Sequence, residues 1–319
     1  MLELEKISKI YKTGTFGGKK LLAVNKVSFE VKDGEVISLI GESGSGKSTI
    51  GKMILGLISI TSGTIKLNGV DIATLKGGAL KNYYRNVQGV FQDPFSSYNP
   101  VFKADRIFRI IREEFFPEIK IGEWNKKIDG SLRAVGLNPD EVLNKFPHQL
   151  SGGQLQRFLI ARALLLDVQF LVADEIISML DASTRIDVLN LLAELKSRGL
   201  SILFITHDLS LGYYISERSM ILYRGGVVEM GSTEQVYYHP LHPYTKMLIA
   251  SVPRLDKKWE EVEVKLKEKH SELSTGCAYY ERCLFTDKDK DCAKGPPLIE
   301  AESGHFVACS HYMEINESF

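Results

Sequence analysis

The chain has 319 residues, 44% of them hydrophobic, and its 40 Lys+Arg balance 40 Asp+Glu. That length accommodates two domains or one large domain with an appendage, and the apolar share is ordinary for a packed core. Zero formal net charge and the lack of a basic stripe argue against a nucleic-acid partner. No apolar run is long enough to span a bilayer, and Met1-Leu2-Glu3-Leu4-Glu5-Lys6 has no signal-peptide pattern. A cytoplasmic chain is expected, with any membrane role supplied through a partner.

In chain order, Leu2-Glu3-Leu4-Glu5-Lys6-Ile7 and Val27-Ser28-Phe29-Glu30-Val31 alternate apolar and polar residues, as half-buried antiparallel strands do. Asp33-Gly34 marks a turn. Val36-Ile37-Ser38-Leu39-Ile40 reads as a buried strand, and residues 49–57 carry apolar side chains at helical spacing. Between them stands Gly41-Glu42-Ser43-Gly44-Ser45-Gly46-Lys47-Ser48-Thr49, a G-x-x-x-x-G-K-S loop. Its four fixed positions would coincide by accident in about one chain in a hundred of this length. The flanking strand and helix make accident rarer still. Such a loop aims the backbone N–H groups of residues 44–49 inward at a helix N-terminus, where the dipole favours negative charge. Lys47 can reach β- and γ-phosphates, and the Ser48 hydroxyl can ligate Mg²⁺.

Thr64-Ile65-Lys66-Leu67 runs into the turn Asn68-Gly69, and Val87-Gln88-Gly89-Val90-Phe91 is another short strand. From about Pro94 to Arg162 strand signals give way to helical patterns, at 104–115 and 128–135, which marks an inserted helical subdomain. Strand-like runs return at 170–173, 201–205 and 219–222, and a helix at 183–197 between the first two predicts a βαβ unit with a parallel sheet. Arg224-Gly225-Gly226 turns a hairpin into Val227-Val228-Glu229-Met230. After about Thr233 the sheet pattern ends. A helix is expected near 244–251, and the charged stretch 257–269 reads as a solvated linker or exposed helix face. The resulting division is an ATP-binding core in two parts, 1–93 and 163–235, around a helical subdomain, 94–162, with an extension, 236–319.

Three further stretches carry chemistry. The apolar run Phe170-Leu171-Val172-Ala173 ends in Asp174-Glu175. A strand lifts these carboxylates to the edge that bears the phosphate loop, where Asp174 can hold Mg²⁺ through water and Glu175 can polarise an attacking water. On its own, a strand ending in acids is common; the upstream loop gives it meaning. Leu150-Ser151-Gly152-Gly153-Gln154 precedes a helix, either as a second anion-binding end or as an ordinary serine cap. His207 follows the strand that ends in Ile205-Thr206. A lone histidine there is usually structural, but in this company it can touch a γ-phosphate.

Phosphate loop, Gln92, Leu-Ser-Gly-Gly-Gln, Asp174-Glu175, Ser178-Met179-Leu180-Asp181 and Thr206-His207-Asp208 occur in the order of the ABC transporter ATPases, which the chain resembles over about residues 1–235. The resemblance implies an α/β P-loop NTPase: a RecA-like mixed sheet core with an N-terminal antiparallel β part, an inserted ABC α-helical subdomain and a small C-terminal cysteine-bearing extension. It implies a head-to-tail dimer holding two ATPs, with the phosphate loop of one subunit facing Ser151, Gly152, Gly153 and Gln154 of the other. Gly41, Ser43, Gly44, Ser45, Gly46, Lys47, Ser48 and Thr49 then bind phosphates, and Ser48, Gln92 and Asp174 attend Mg²⁺. Gln92 also communicates with the membrane subunit. Glu175 is the catalytic base, His207 the γ-phosphate sensor and Asp181 a cross-dimer contact. Tyr11 stands where the family stacks an aromatic on adenine, although a tyrosine ending a strand is otherwise unremarkable.

A narrower resemblance rests on Phe91-Gln92-Asp93-Pro94-Phe95-Ser96-Ser97-Tyr98-Asn99-Pro100, His239-Pro240-Leu241-His242-Pro243-Tyr244-Thr245, Ser251-Val252-Pro253 and the cysteine tail. These are similar to the oligopeptide/dipeptide importer ATPases, the F-type more than the D-type. The implied partners are a second ATPase subunit, identical or different, and two transmembrane permease subunits. An extracytoplasmic substrate-binding protein is an indirect partner, and the chain would sit peripherally on the cytoplasmic face of the membrane. Oligopeptides or dipeptides are the implied cargo, with oligosaccharides or nickel as alternatives within the group. A soluble ABC ATPase acting on DNA or ribosomes is a rival, but the chain has neither an inserted coiled coil nor a second ATPase half. A non-hydrolysing partner subunit is another, supported only by Ile176-Ile177, where the family usually has Pro-Thr or a similar pair. The missing proline removes a backbone constraint just past Glu175. Retained Lys47, Glu175 and His207 lead us to expect hydrolysis to survive.

All four cysteines, Cys277, Cys283, Cys292 and Cys309, lie near the C-terminus in the spacing C-x5-C-x8-C-x16-C. This is neither the paired C-x-x-C of a zinc ribbon nor the tight run of bacterial ferredoxins. Three readings stand: ligands to a 4Fe–4S cluster, as the resemblance implies; disulfides; or zinc or unmodified thiols, with His305 and His311 as additional ligands. Each gives the tail a structural role outside the ATP motifs.

Overall fold

The computed structural model describes residues 1–12, 20–252, 276–283, 292 and 295–313. The chain begins β1 (Leu2–Lys12), β2 (Lys20–Val31), β3 (Val36–Ile40), α1 (Lys47–Ile54), β4 (Ser62–Leu67), β5 (Val70–Asp71), α2 (Gly77–Asn86) and β6 (Val87–Val90). Four helices then follow without an intervening strand: α3 (Arg106–Phe115), α4 (Ile121–Ala134), α5 (Pro139–Val142) and α6 (Gly152–Leu165). The sheet resumes with β7 (Phe170–Asp174), α7 (Ala182–Ser197), β8 (Ser201–Thr206), α8 (Leu209–Ile215), β9 (Arg218–Tyr223) and β10 (Gly226–Ser232). Beyond it come α9 (Thr233–Tyr238), α10 (Pro243–Ala250), β11 (Ile299–Glu302) and β12 (His305–Val307).

Two sheets result. The alternating strands β1 and β2 pair antiparallel, Leu4 opposite Phe29, and with β4 and β5 make a four-stranded sheet in the order β2-β1-β4-β5. The second sheet runs β11-β12-β10-β9-β3-β8-β7-β6, in which β9, β3, β8, β7 and β6 are parallel. Every residue of β3, β7 and β8 is buried. Strands covered on both faces have no solvated side to spare for polar residues, so they read as unbroken apolar runs. One core layer packs Leu4 and Phe29 of the antiparallel sheet with Ile50 and Met53 of α1 and Val172 and Leu203 of the parallel strands. A second joins Phe108, Trp124 and Phe158 of the helical insert to Leu192 of α7 and Phe204 of β8. The Phe108 and Phe158 rings stack with centroids 4.7 Å apart. Thus α6 is buried both within the insert and against the sheet, which fixes its N-terminus relative to the nucleotide core.

Two elements depart from the sequence reading. Helix α2, with Gly77-Gly78 at its start, has too little apolar periodicity to announce itself. The sheet does not end near Thr233, because β12 pairs with β10, Glu229 opposite Val307, and β11 pairs with β12. Strands of four and three residues are too short for alternation to show. A buried polar knot secures this join: Glu229, wholly buried, accepts from the N–H groups of Leu241 and His242 (2.8 Å each) and lies 2.9 Å from Nε2 of the equally buried His305. The charged stretch at 257–269 falls outside the described residues. No helix among the described residues is long and apolar enough to cross a membrane.

Candidate nucleotide site

Three neighbouring strands deliver the site. Ile40 of β3 pairs with Thr206 of β8, and Asp174 of β7 with Ile205, so all three strands end in register. The loops that follow emerge together at the carboxyl edge of the parallel sheet, where open α/β sheets bind ligands. β6 lies beside β7, so exposed Gln92 leaves from the same edge.

Glycine makes the phosphate loop possible. A Cβ on Gly41 would lie 2.2 Å from the Leu222 carbonyl oxygen, and one on Gly46, at φ +106°, would lie 2.4 Å from that of Ala23. Lys47 follows at the first turn of α1. Its Nζ donates to the carbonyls of Gly41 (2.7 Å) and Glu42 (2.9 Å) across its own loop. Burial pushes its pKa down, while the charges of Glu175, Asp174 and Glu42 push it back up. The Ser45 hydroxyl of the same loop is buried without a hydrogen-bond partner among the described residues. A buried cation and an unsatisfied hydroxyl beneath a helix N-terminus suit an anionic phosphate.

Ser48 Oγ donates to Asp174 Oδ1 at 3.1 Å. Burial raises the Asp174 pKa, the Ser48 bond lowers it, and the charge of Glu175 raises it further. This all-oxygen pair suits a hard cation such as Mg²⁺. Glu175 sits at φ +50°, unusual for a residue with a side chain. Its N–H donates to the Ile205 carbonyl at 2.9 Å, and its own carbonyl accepts from Ser178 N–H (3.1 Å) and Oγ (2.9 Å). His207 Nδ1 lies 3.4 Å from Glu175 Oε1, the histidine mostly exposed and the glutamate mostly buried. Ile176 and Ile177 are only 1% and 2% exposed. Burial among the core side chains supplies a constraint at the two positions where Ile176-Ile177 replace the usual Pro-Thr pair.

The signature turn is not part of this cluster. Ser151 caps α6, accepting from Gln154 N–H at 3.1 Å while Gln154 Oε1 accepts from Ser151 N–H at 2.9 Å. A Cβ on Gly153 would lie 2.8 Å from Thr184 Cγ2. Thr184 in turn donates its N–H (3.0 Å) and hydroxyl (2.8 Å) to Asp181, the cap of α7, and Ser183 donates its hydroxyl at 2.6 Å. These bonds, that of Ser183 foremost, hold the Asp181 carboxyl well below its usual range. The turn and Asp181 therefore form a second polar cluster with its own local bonds. Tyr11, half-buried at the end of β1, has the Lys9 ammonium 5.3 Å from its ring centre.

All four cysteines line one small cavity, together with His242, Tyr279 and Pro296. Burial pushes the Cys309 thiol up to about 12, and the three other cysteines add to the shift. Among the described residues no three His, Cys, Asp or Glu side chains are placed to hold a single metal ion. Although it lies outside the ATP motifs in sequence, the tail touches the phosphate loop. Arg282 Nη1 lies 3.0 and 2.8 Å from the two Glu42 oxygens, and the Tyr244 hydroxyl accepts from Glu42 N–H at 3.0 Å. Neither contact leaves a motif in the sequence, because each depends on long-range folding.

A phosphate loop flanked by Asp-Glu and His at adjacent strand ends, with a serine-capped helix that opens on two glycines in a helical insert, defines an ATP-binding cassette of the P-loop class. Residues 24–178 match the ABC transporter family, and residues 228–292 match the oligopeptide/dipeptide transporter C-terminal region. The oligopeptide transport ATP-binding protein OppF of Haemophilus influenzae is 38% identical, over 91% of this chain and 88% of its own length. A putative peptide import ATP-binding protein of Brucella ovis is 38% identical over 97% of both chains. Among solved structures, a dimeric ATP-binding cassette in a post-hydrolysis state with ADP and phosphate superposes with a TM-score of 0.66 at 29% identity, covering 73% of this chain and 99% of that one. The chain belongs to the ATP-binding subunits of the oligopeptide/dipeptide ABC transporters, and it is an ATP hydrolase. The OppF relatives agree with the F-type resemblance.

Proposed function

We propose that this chain drives import of oligopeptides or dipeptides by hydrolysing ATP at a head-to-tail dimer interface, on the cytoplasmic face of the membrane. A second ATPase subunit completes the interface, two permease subunits receive the motion, and a substrate-binding protein outside the membrane delivers cargo to them. The peptide-transport roles of the relatives favour peptides over oligosaccharides or nickel. The observation that carries the catalytic reading is the meeting of Lys47, Ser48, Asp174, Glu175 and His207 at one sheet edge.

In this reading Lys47, Gly41, Ser43, Gly44, Ser45, Gly46, Ser48 and Thr49 hold the phosphates, and Tyr11 stacks on the adenine. Mg²⁺, held by Ser48, Asp174 and Gln92, would neutralise charge developing on the transferred phosphoryl group. Glu175 orients the attacking water and takes its proton, while His207 holds the γ-phosphate side of that water's path. Ser151, Gly152, Gly153 and Gln154 serve the partner's nucleotide, and Asp181 contacts the partner. The local bonding of this second cluster supports a role away from the chain's own Lys47. ATP turnover by the purified chain tests the reading: Glu175→Gln should lower it by at least about a hundredfold, the low end of general-base contributions, with ATP binding intact. Turnover that survives the substitution would remove Glu175 from the role.

We further propose that Cys277, Cys283, Cys292 and Cys309 hold a 4Fe–4S cluster. Their sharing of one cavity supports this, because a cluster spreads its four thiolates around its own volume. Protein purified without oxygen should absorb broadly near about 400 nm and carry iron and sulfide. A colourless, iron-free protein would transfer the site to disulfides or zinc.

A further inference from the structure

The cysteine-bearing segment reaches the phosphate loop through Glu42, and every polar group of that residue has a partner. Its N–H donates to Tyr244 Oη at 3.0 Å, its carbonyl accepts from Lys47 Nζ at 2.9 Å, and its carboxylate takes Arg282 Nη1 at 3.0 and 2.8 Å. Two of these partners lie beyond the nucleotide core. Tyr244 belongs to α10, and Arg282 ends the short turn Tyr280–Arg282 between Cys277 and Cys283. Arg282 is firmly seated, its guanidinium 5.8 Å from the ring centres of both Tyr223 and Tyr279. Those rings pack with Tyr244 at centroid separations of 4.6, 5.2 and 5.4 Å. Beside it Glu281 meets Arg224 at 3.5 Å.

A carboxylate at Glu42 is a liability for an ATP site. It stands in the same loop as Lys47 and acts on that ammonium electrostatically. Left uncompensated, its charge would repel phosphates held by the same loop. Arg282 cancels that charge and fixes the direction of the side chain. The Arg282 turn lies between Cys277 and Cys283, both of which line the shared cavity.

We propose that Arg282 is a positioning residue for ATP binding: it neutralises and anchors Glu42 of the phosphate loop, and the cysteine site sets nucleotide affinity by fixing the turn that carries it. The inference rests on ATP binding and stands whichever group the cysteines hold.

The test measures the affinity of the full-length chain for a fluorescent ATP analogue with Mg²⁺ at low and high salt, alongside thermal melting. Arg282→Ala should weaken binding about fivefold, the low end of coupling between sites. The loss should shrink at high salt, where the reach of the Glu42 charge is shortened. Adding Glu42→Gln to that variant should restore affinity to within about twofold of the original, a rescue that a purely structural Arg282 would not show. Arg282→Lys retains the charge without the planar fork and should bind more tightly than Arg282→Ala. Cys283→Ser should weaken binding in the original chain and have no further effect once Arg282 is Ala. Unchanged affinity in Arg282→Ala, or a double variant as weak as the single one, overturns the proposal. Additive losses from Cys283→Ser and Arg282→Ala overturn the link to the cysteine site. Iron and sulfide are assayed on the same samples, so failure of the cluster reading is seen separately.

Discussion

At Glu175 a backbone angle and four neighbouring residues decide how the proposed base is presented. Its φ of +50° is a conformation that costs a side-chain-bearing residue energy, so the surroundings must hold it there. The hydrogen bonds from Ser178 and to Ile205 do part of this, and the buried Ile176 and Ile177 do the rest. Removing the Ile176 side chain should therefore do more than open a cavity. We expect Ile176→Ala to cost about 2–5 kcal/mol of stability in urea unfolding. It should also lower ATP turnover under conditions where the chain remains folded. Full turnover in the folded variant would show that the hydrogen bonds alone suffice to position Glu175.

Among the elements, β10 links the C-terminal strands to the parallel sheet. It pairs with β9 on one side and β12 on the other, and its Glu229 satisfies two backbone donors at the start of α10 as well as His305 of β12. Glu229→Ala would leave the N–H groups of Leu241 and His242 buried without acceptors, at about 1–3 kcal/mol each. The expected result is a lower urea midpoint together with faster proteolysis of the extension. A variant with the original midpoint would mean that other contacts hold α10 and β12. The elements of the nucleotide core, by contrast, are fixed by burial: β3, β7 and β8 have no exposed residue through which their register could slip.

For the whole molecule, the separation of two polar clusters matters most. Lys47, Asp174 and Glu175 gather at one sheet edge, while Ser151, Gly153, Thr184 and Asp181 form a neighbouring group at two helix N-termini. In the head-to-tail dimer we propose, the first group serves the chain's own nucleotide and the second completes the partner's site. If hydrolysis is blocked while ATP still binds, the closed pair should accumulate. Glu175→Gln with ATP and Mg²⁺ should thus elute at twice the monomer mass in size-exclusion chromatography with light scattering. A monomer at saturating ATP would place the completing surface on a different subunit.

Much of this was legible in the residues themselves. The phosphate loop, the acids after Ala173, the signature turn and the parallel strands are local patterns, because phosphate chemistry and two-sided burial dictate residue types at fixed short spacing. Element ends shifted by a few residues, as at α4, which starts at Ile121 rather than near 128, since apolar periodicity marks the middle of a helix better than its ends. Helix α2 and the pair β11 and β12 left no pattern long enough to detect. The sequence alone determined the class of protein and its P-loop fold. Only the tertiary structure decided that Arg282 and Tyr244 hold Glu42, that β12 extends the core sheet and that four widely spaced cysteines share one cavity. Such contacts join residues far apart in the chain, and folding creates them without imposing any spacing on the sequence.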